Sequence, residues 1–248
     1  MKKSSAVSCF ALACLAVGAA WTVGLHRAAE IPLTIVMSAQ AGTPAPVIRM
    51  AAEVPAPPPL PLPASAHLPV PYTLQAPFNK WDPLHEDACE ETSLIMVKHY
   101  LEHSPIASPE QADQEISALV HWETAHGYGP SITLEQLDQI AKAYYGLQNG
   151  QVMTVSSIDK VKQELAAGHP AIVGLAGKLL PNPYFSNGGP NYHMLVAVGY
   201  DSAGILTNEP GTWHGEGYHY DYAPFYAAIH DWNSQNILSG QKAYLVFK

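Results

Sequence analysis

The spacing of apolar and polar positions changes period once along this chain. From Asp87 to Glu102, Leu94, Ile95, Met96, Val97, Tyr100 and Leu101 cluster at helical spacing. Ser108-Pro109-Glu110-Gln111 predicts a second helix, with serine as N-cap, proline at the first helical position and glutamine at the third. That helix runs to about Thr124. Thr133-Leu134-Glu135-Gln136 opens another, which carries Leu134, Leu137, Ile140, Ala141 and Tyr144 on one face and ends at Gly146. A short strand is expected near Val152–Val155, then a helix from Ile158 to Ala167, capped by Ser157 and closed by Gly168. Beyond this point short extended segments dominate. Strands are expected over Ala171–Ala176 and Tyr192–Tyr200, with Asp201-Ser202-Ala203-Gly204 as a hairpin turn and Ile205–Asn208 pairing back. Tyr218–Tyr222 reads as a further strand, Pro224–Trp232 as a short helix and Lys242–Phe247 as a final strand. Helices gathered toward the N-terminal half, followed by an antiparallel sheet, argue an α+β fold.

This patterned region is the third of three zones, residues 71–248. Residues 1–41 read as a targeting or anchoring segment. Lys2 and Lys3 precede an uncharged, largely apolar stretch from Ser4 to Leu25. A span needs about 20 apolar residues, and a secretory core roughly 7–15. The stretch is long enough for a signal anchor with its basic end in the cytoplasm. Ala39-Gln40-Ala41 resembles a cleavage site but lies well past the apolar run, so a cleaved signal peptide is the alternative. Residues 42–70 carry prolines from Pro44 to Pro69 among alanines and valines, a semi-rigid spacer by composition or a ligand for a proline-binding module. This order makes the third zone extracytoplasmic, tethered to the membrane by the N-terminal segment or secreted.

Charge narrows the partners. The chain of 248 residues carries a formal charge of −9, which disfavours nucleic acid and anionic membrane surfaces. Of its three cysteines, Cys9 and Cys14 lie in the first zone. Cys89 is alone in the third, so no disulfide can form within it. No dense Cys/His spacing pattern points to a metal. His85, His214 and His219 are scattered candidates only, and no cofactor is implied. A monomer is expected.

Cys89 stands where a polar loop turns into a helix, and the positive end of a helix dipole favours its thiolate. A thiol hydrolase also needs a histidine to move the proton, a polar group to orient that histidine, and donors for the oxyanion. Gln75, Cys89, His193 and the pair Asn208-Glu209 supply these types in order. Taken singly, a lone cysteine reads as core and a histidine opening an apolar strand as structural.

The order resembles the papain-like cysteine peptidases, and in detail the bacteriocin-leader (double-glycine) peptidase-like family. Val70-Pro71-Tyr72-Thr73-Leu74-Gln75 is similar to that family's opening strand, and Ala88-Cys89-Glu90-Glu91-Thr92-Ser93-Leu94 to its nucleophile helix. Gly168-His169-Pro170-Ala171-Ile172-Val173 resembles a strand start, Tyr192 to Asp201 the histidine strand, and Thr207-Asn208-Glu209-Pro210-Gly211-Thr212 the acidic segment after it. The resemblance implies a papain-like fold, with an N-terminal helical half and an antiparallel sheet, and cleavage of peptide or protein substrates. Cys89 would be the nucleophile and His193 the base and acid. Gln75 would join the Cys89 backbone N–H in the oxyanion hole, and Asn208 or Glu209 would orient the histidine.

Two positions depart from the pattern. Glu209 stands where the family usually has aspartate, and Glu90-Glu91 follow the cysteine in place of glycine and proline. Carboxylates around Cys89 oppose its ionisation and could select basic substrates. A catalytically inactive module that binds a peptide or a cell-envelope component is the competing reading. Transpeptidation is a variant of the enzymatic one.

Overall fold

The computed structural model describes residues 61–248. The apolar N-terminal segment and most of the proline-rich stretch lie outside the described residues, and so do the anchor and signal-peptide expectations. Among the described residues no helix is long and apolar enough to cross a membrane.

The expected α+β architecture is present. Helices α1 (Pro83–Glu86), α2 (Cys89–Leu101), α3 (Pro109–Ala125) and α4 (Leu134–Ile140) come first. Then follow β2 (Gly150–Thr154), α5 (Ile158–Ala166), β3 (Ala171–Leu175), β4 (His193–Tyr200), β5 (Gly204–Asn208), β6 (Tyr218–Asp221), α6 (Tyr222–Ala228) and β7 (Ala243–Phe247). A two-residue strand β1 (Ala66–His67) precedes them all. The sheet order is β2-β7-β3-β4-β5-β6, with β1 added to β4, and every pairing is antiparallel.

Alternation along the strands divides the core in two. Met194, Val196 and Val198 of β4, with Leu245 and Phe247 of β7, pack toward α2, α3 and α4. Leu195 and Ala197, with Tyr244 and Val246, pack toward α5 and α6. Both faces are covered, which is why all eight residues of β4 are buried. Each such aliphatic side chain contributes about 1.5–3 kcal/mol on burial. Helix α2 is likewise buried around most of its circumference, polar residues Glu90 to Ser93 included, because it lies between the sheet and α3 and α4.

Two helix starts read from sequence hold in detail, whereas Ser157, at the N-cap of α5 as expected, makes no side-chain capping bond. Ser108 Oγ accepts from Gln111 N–H, and Thr133 and Gln136 form a reciprocal capping box. The α-helical geometry of α4 stops at Ile140 and continues as a π turn, Ala141–Tyr145, before Gly146 closes it with φ 74°.

Three segments differ from expectation. First, the folded unit reaches back before residue 71. Strand β3 pairs with β4 only as far as Ala197, which leaves backbone groups of Val198–Tyr200 open. The proline-free run Ala66-His67-Leu68 fills them: Ala66 and His67 pair with Tyr200 and Gly199, and Leu68 N–H donates to Val198 O at 2.8 Å. The end of the proline-rich zone is thus part of the domain. Second, Val70–Gln75 forms no strand. Third, α6 ends at Ala228 and not near Trp232. Ile229 bridges Leu175, and the Asp231 carboxylate accepts from Leu134 N–H, Trp232 N–H and Tyr192 OH. These tertiary partners outcompete further helical turns.

Candidate active site

The cysteine is set by two consecutive helix ends. Asp82 caps α1 by accepting from His85 N–H, Pro83 follows, and the short helix turns at Asp87. Helix α2 then begins at Cys89 with no side-chain cap. The Cys89 backbone N–H, in the first turn, donates to no backbone carbonyl among the described residues.

The thiol is buried and committed. Its S–H donates to Glu90 Oε2 at 2.8 Å, and Met194 N–H donates to the sulfur at 3.3 Å. No hydrogen bond joins the sulfur to His193, so the close pairing expected for a thiol and its base is not formed in this state. Burial, and then the Glu90 carboxyl, push the thiol well above its ordinary range. Glu90 is itself pushed up by burial and by Glu91. Behind them Glu91 and Glu123 touch carboxyl to carboxyl, which requires a shared proton, and burial beside Glu91 pushes Glu123 up to about 10. Burial, with Glu90 and Glu91 beside the thiol, therefore outweighs the dipole of α2.

The histidine sits at the open end of β4. Its Nε2 lies 2.5 Å from Glu209 Oε1, leaving Nδ1 without a hydrogen bond among the described residues. Glu209 is fully buried, yet its oxygens are satisfied. Gly211 N–H donates to Oε1 at 2.8 Å, and Tyr220 OH donates to Oε2 at 3.0 Å. Asn182 supports Tyr220 by donating to its hydroxyl at 2.8 Å. The Phe185 ring packs edge-on against His193 at 5.4 Å.

Asn208 takes a different part. Its side chain donates to Val70 O at 2.9 Å and accepts from Gly217 N–H at 3.3 Å. Consecutive residues at a strand end face opposite ways, so Glu209 meets the imidazole and Asn208 ties down the chain before Gln75. Of the two candidates for orienting the histidine, the geometry favours Glu209.

Gln75 lines the same cavity, but its amide is spent. Nε2 donates to His85 O at 2.8 Å and Glu86 O at 3.1 Å, while Oε1 is buried without a partner. Flipping the amide would set its oxygen against two carbonyls, so this orientation is fixed. An oxyanion role needs Gln75 to release one of those carbonyls. His85 lies between Asp82 and Asp113, His214 stacks on Tyr184, and His219 meets Asp201. Among the described residues no group of three His, Cys, Asp or Glu side chains is placed to hold a metal.

Gln75, Cys89, Glu90 and His193 line one cavity of about 740 Å³, a common size for a ligand site. Tyr184, Phe185 and Trp213 from the loops around β4 and β5 complete its rim. Sequence reasoning missed Tyr220 and Gly211 as supports of Glu209. The alternation Tyr218-His219-Tyr220 was the available signal, since it buries Tyr220 beneath the strand that precedes Glu209.

A family model described as the Peptidase_C39 like family matches residues 67–238. Among solved structures, the chain is similar to a crystal structure described as a C39-like peptidase from Bacillus anthracis. The identity is 18%, the TM-score 0.49, and the match covers 74% of this chain and 97% of that one. It is also similar to xylellain, a cysteine protease from Xylella fastidiosa, at 17% identity and a TM-score of 0.33, covering 76% of this chain and 87% of that one. The comparison with curated proteins returned no match. The family match runs from β1 through the histidine strand and past Glu209, and the chain belongs to the Peptidase_C39 like family of cysteine peptidases.

Proposed function

We propose that the protein hydrolyses peptide bonds on the extracytoplasmic side of a membrane, through Cys89, His193 and Glu209. One observation carries the reading. A histidine whose Nε2 is held by a buried, fully satisfied carboxylate opens onto the same cleft as a helix-start thiol.

In the resting state the thiol proton is directed at Glu90. Rotation of the Cys89 side chain brings the sulfur toward His193 Nδ1, which takes the proton as the thiolate attacks the scissile carbonyl carbon. Glu209 stabilises the imidazolium that forms. The Cys89 backbone N–H donates to the oxyanion, and Gln75 joins it on leaving one carbonyl. The imidazolium then gives its proton to the leaving amine, and the C–N bond breaks to leave a thioester. Water, deprotonated by His193, cleaves the thioester and restores the thiol.

The extracytoplasmic address rests on the basic start and long apolar stretch of the sequence. Fractionation of cells with N-terminal sequencing of the mature protein tests it. An intact N-terminus in the membrane fraction identifies an anchor, a cleaved one a secreted enzyme, and a soluble cytoplasmic protein with an intact N-terminus refutes the address.

The activity is tested with the full-length protein on a mixed peptide library. Cleavage is expected from the native chain, and a loss of about 10³-fold or more from Cys89→Ala and from His193→Ala. Cleavage that survives both substitutions overturns the reading. The hydrogen bond from the thiol to Glu90 favours a second reading, a non-catalytic module that binds peptide. In that case the native chain cleaves nothing, and Cys89→Ala binds peptide as the native chain does.

A further inference from the structure

The cleft has an electrostatic and hydrogen-bonding bias that the peptidase reading does not require. Apart from His193, its carboxylic-acid or basic lining residues are Glu86, Asp87 and Glu90, and neither lysine nor arginine is among them. Lys80, close in sequence, turns to Asp82 at 3.3 Å and is not part of the lining. Glu86 and Asp87 are exposed at the rim, where water and ligand reach them.

Deeper in, one acceptor is unmatched. Gln75 is over nine-tenths buried, and its Oε1 has no hydrogen-bond partner. An unpaired buried acceptor costs about 1–3 kcal/mol, so the site is complementary to a ligand that brings N–H donors. The rim adds aromatic faces. Trp81, Tyr184 and Trp213 line the cavity and are among the most exposed large apolar side chains of the domain. Aromatic rings attract cations through their electron-rich faces. Carboxylates, an unpaired acceptor and exposed rings around one cavity all favour the same ligand chemistry.

We propose that this cleft takes a substrate carrying a cationic nitrogen beside the scissile bond, from a lysine or arginine side chain or a free α-ammonium group. The proposal rests on the peptidase reading only for the bond that is cut. The cation itself is recognised whether or not cleavage follows. Glu86 and Asp87 attract it at the rim, Trp81 and Trp213 flank it, and Gln75 Oε1 takes one of its N–H groups.

The test separates binding from turnover. Fluorescent peptides identical except for one Lys, Gln or Glu are titrated against the full-length Cys89→Ala chain. Cys89→Ser serves as a second variant if the first is unfolded by circular dichroism. The lysine peptide is expected to bind about tenfold more tightly than the glutamate peptide at low salt, with the glutamine peptide between. That margin should shrink to about twofold near 1 M salt, where the Debye length is about 3 Å. Adding Glu86→Gln and Asp87→Asn should remove most of the margin while leaving the affinity of the glutamine peptide. N-acetylation distinguishes the sources: if it weakens binding as much as Lys→Gln does, the α-ammonium is the recognised group. Equal binding of the three peptides, or tighter binding of the glutamate peptide, overturns the proposal. Selective binding of the lysine peptide without its cleavage by the native chain supports the cation site and overturns the peptidase reading alone.

Discussion

Glu209 and Glu90 are both buried glutamates at one cleft, and their surroundings differ completely. Glu209 receives His193 Nε2 and Gly211 N–H on one oxygen and Tyr220 OH on the other. Glu90 meets the Cys89 thiol at Oε2, keeps Oε1 without a close partner, and lies beside Glu91. Burial alone does not decide what a carboxylate does. Donors compensate its desolvation on the sheet side, while on the helix side burial and like charge drive protons onto the group. The histidine half of the site is thus preorganised without a ligand. The cysteine half is held in its protonated state.

The comparison breaks most sharply at Glu209. Glu209→Ala should remove the orientation of His193 and lower kcat by about 10²–10⁴-fold, with KM changing much less. Steady-state kinetics on any cleaved peptide checks this, and an unchanged kcat would mean that the imidazole is oriented by something else. Tyr220→Phe is expected to act in the same direction and more weakly.

On the helix side the expected effect is smaller and of opposite sign. The native thiol should react with iodoacetamide more slowly than a free cysteine at neutral pH, because burial and Glu90 hold it protonated. Glu90→Gln should move the pH-rate curve of alkylation toward lower pH. A curve that stays in place would leave burial as the sole cause.

The acids behind the thiol should also show in stability. Glu123 is pushed up to about 10 in the folded chain by burial and by Glu91. A raised pKa means that the folded state holds a proton which the unfolded state releases from about pH 4 upward. The stabilisation is therefore complete below that point and is lost progressively as pH rises toward 10. Urea midpoints across this range should fall with pH, and Glu123→Gln should flatten the fall. Equal slopes in the two chains would remove Glu123 from the account.

The smallest effect on activity is expected at Asn208. Its side chain ties Val70 to Gly217 and does not meet His193. Asn208→Ala should cost about 1–2 kcal/mol of stability. It should leave kcat within about threefold, as measured by chemical denaturation beside turnover. A large loss of kcat would return Asn208 to the site.

Much of this was legible in the chain itself. Ser108 and Thr133 announce helix starts by local hydrogen bonding, and short-range chemistry of that kind survives in the structure. The apolar run after His193 likewise announced a strand, through its residue types. What failed to show was non-local. Strand β1 exists because β4 outruns β3, which nothing within Ala66-His67 reveals. The Gln75 amide is taken by carbonyls of α1, a helix too short to mark itself by periodicity. Asn208 and Glu209 are equivalent as sequence candidates, since either type can hold an imidazole.

The sequence by itself determined the kinds of group and their order: a thiol at a helix start, a histidine opening a buried strand, a carboxylate just past the next strand. Those follow from residue type and local periodicity. Only the tertiary structure decided which groups share protons. It turned the thiol to Glu90, gave Glu209 the donors of Gly211 and Tyr220, and left Gln75 Oε1 in need of a donor. The physical reason is that the protonation and pairing of a buried group depend on every dipole and charge around it, and those neighbours come from distant parts of the chain.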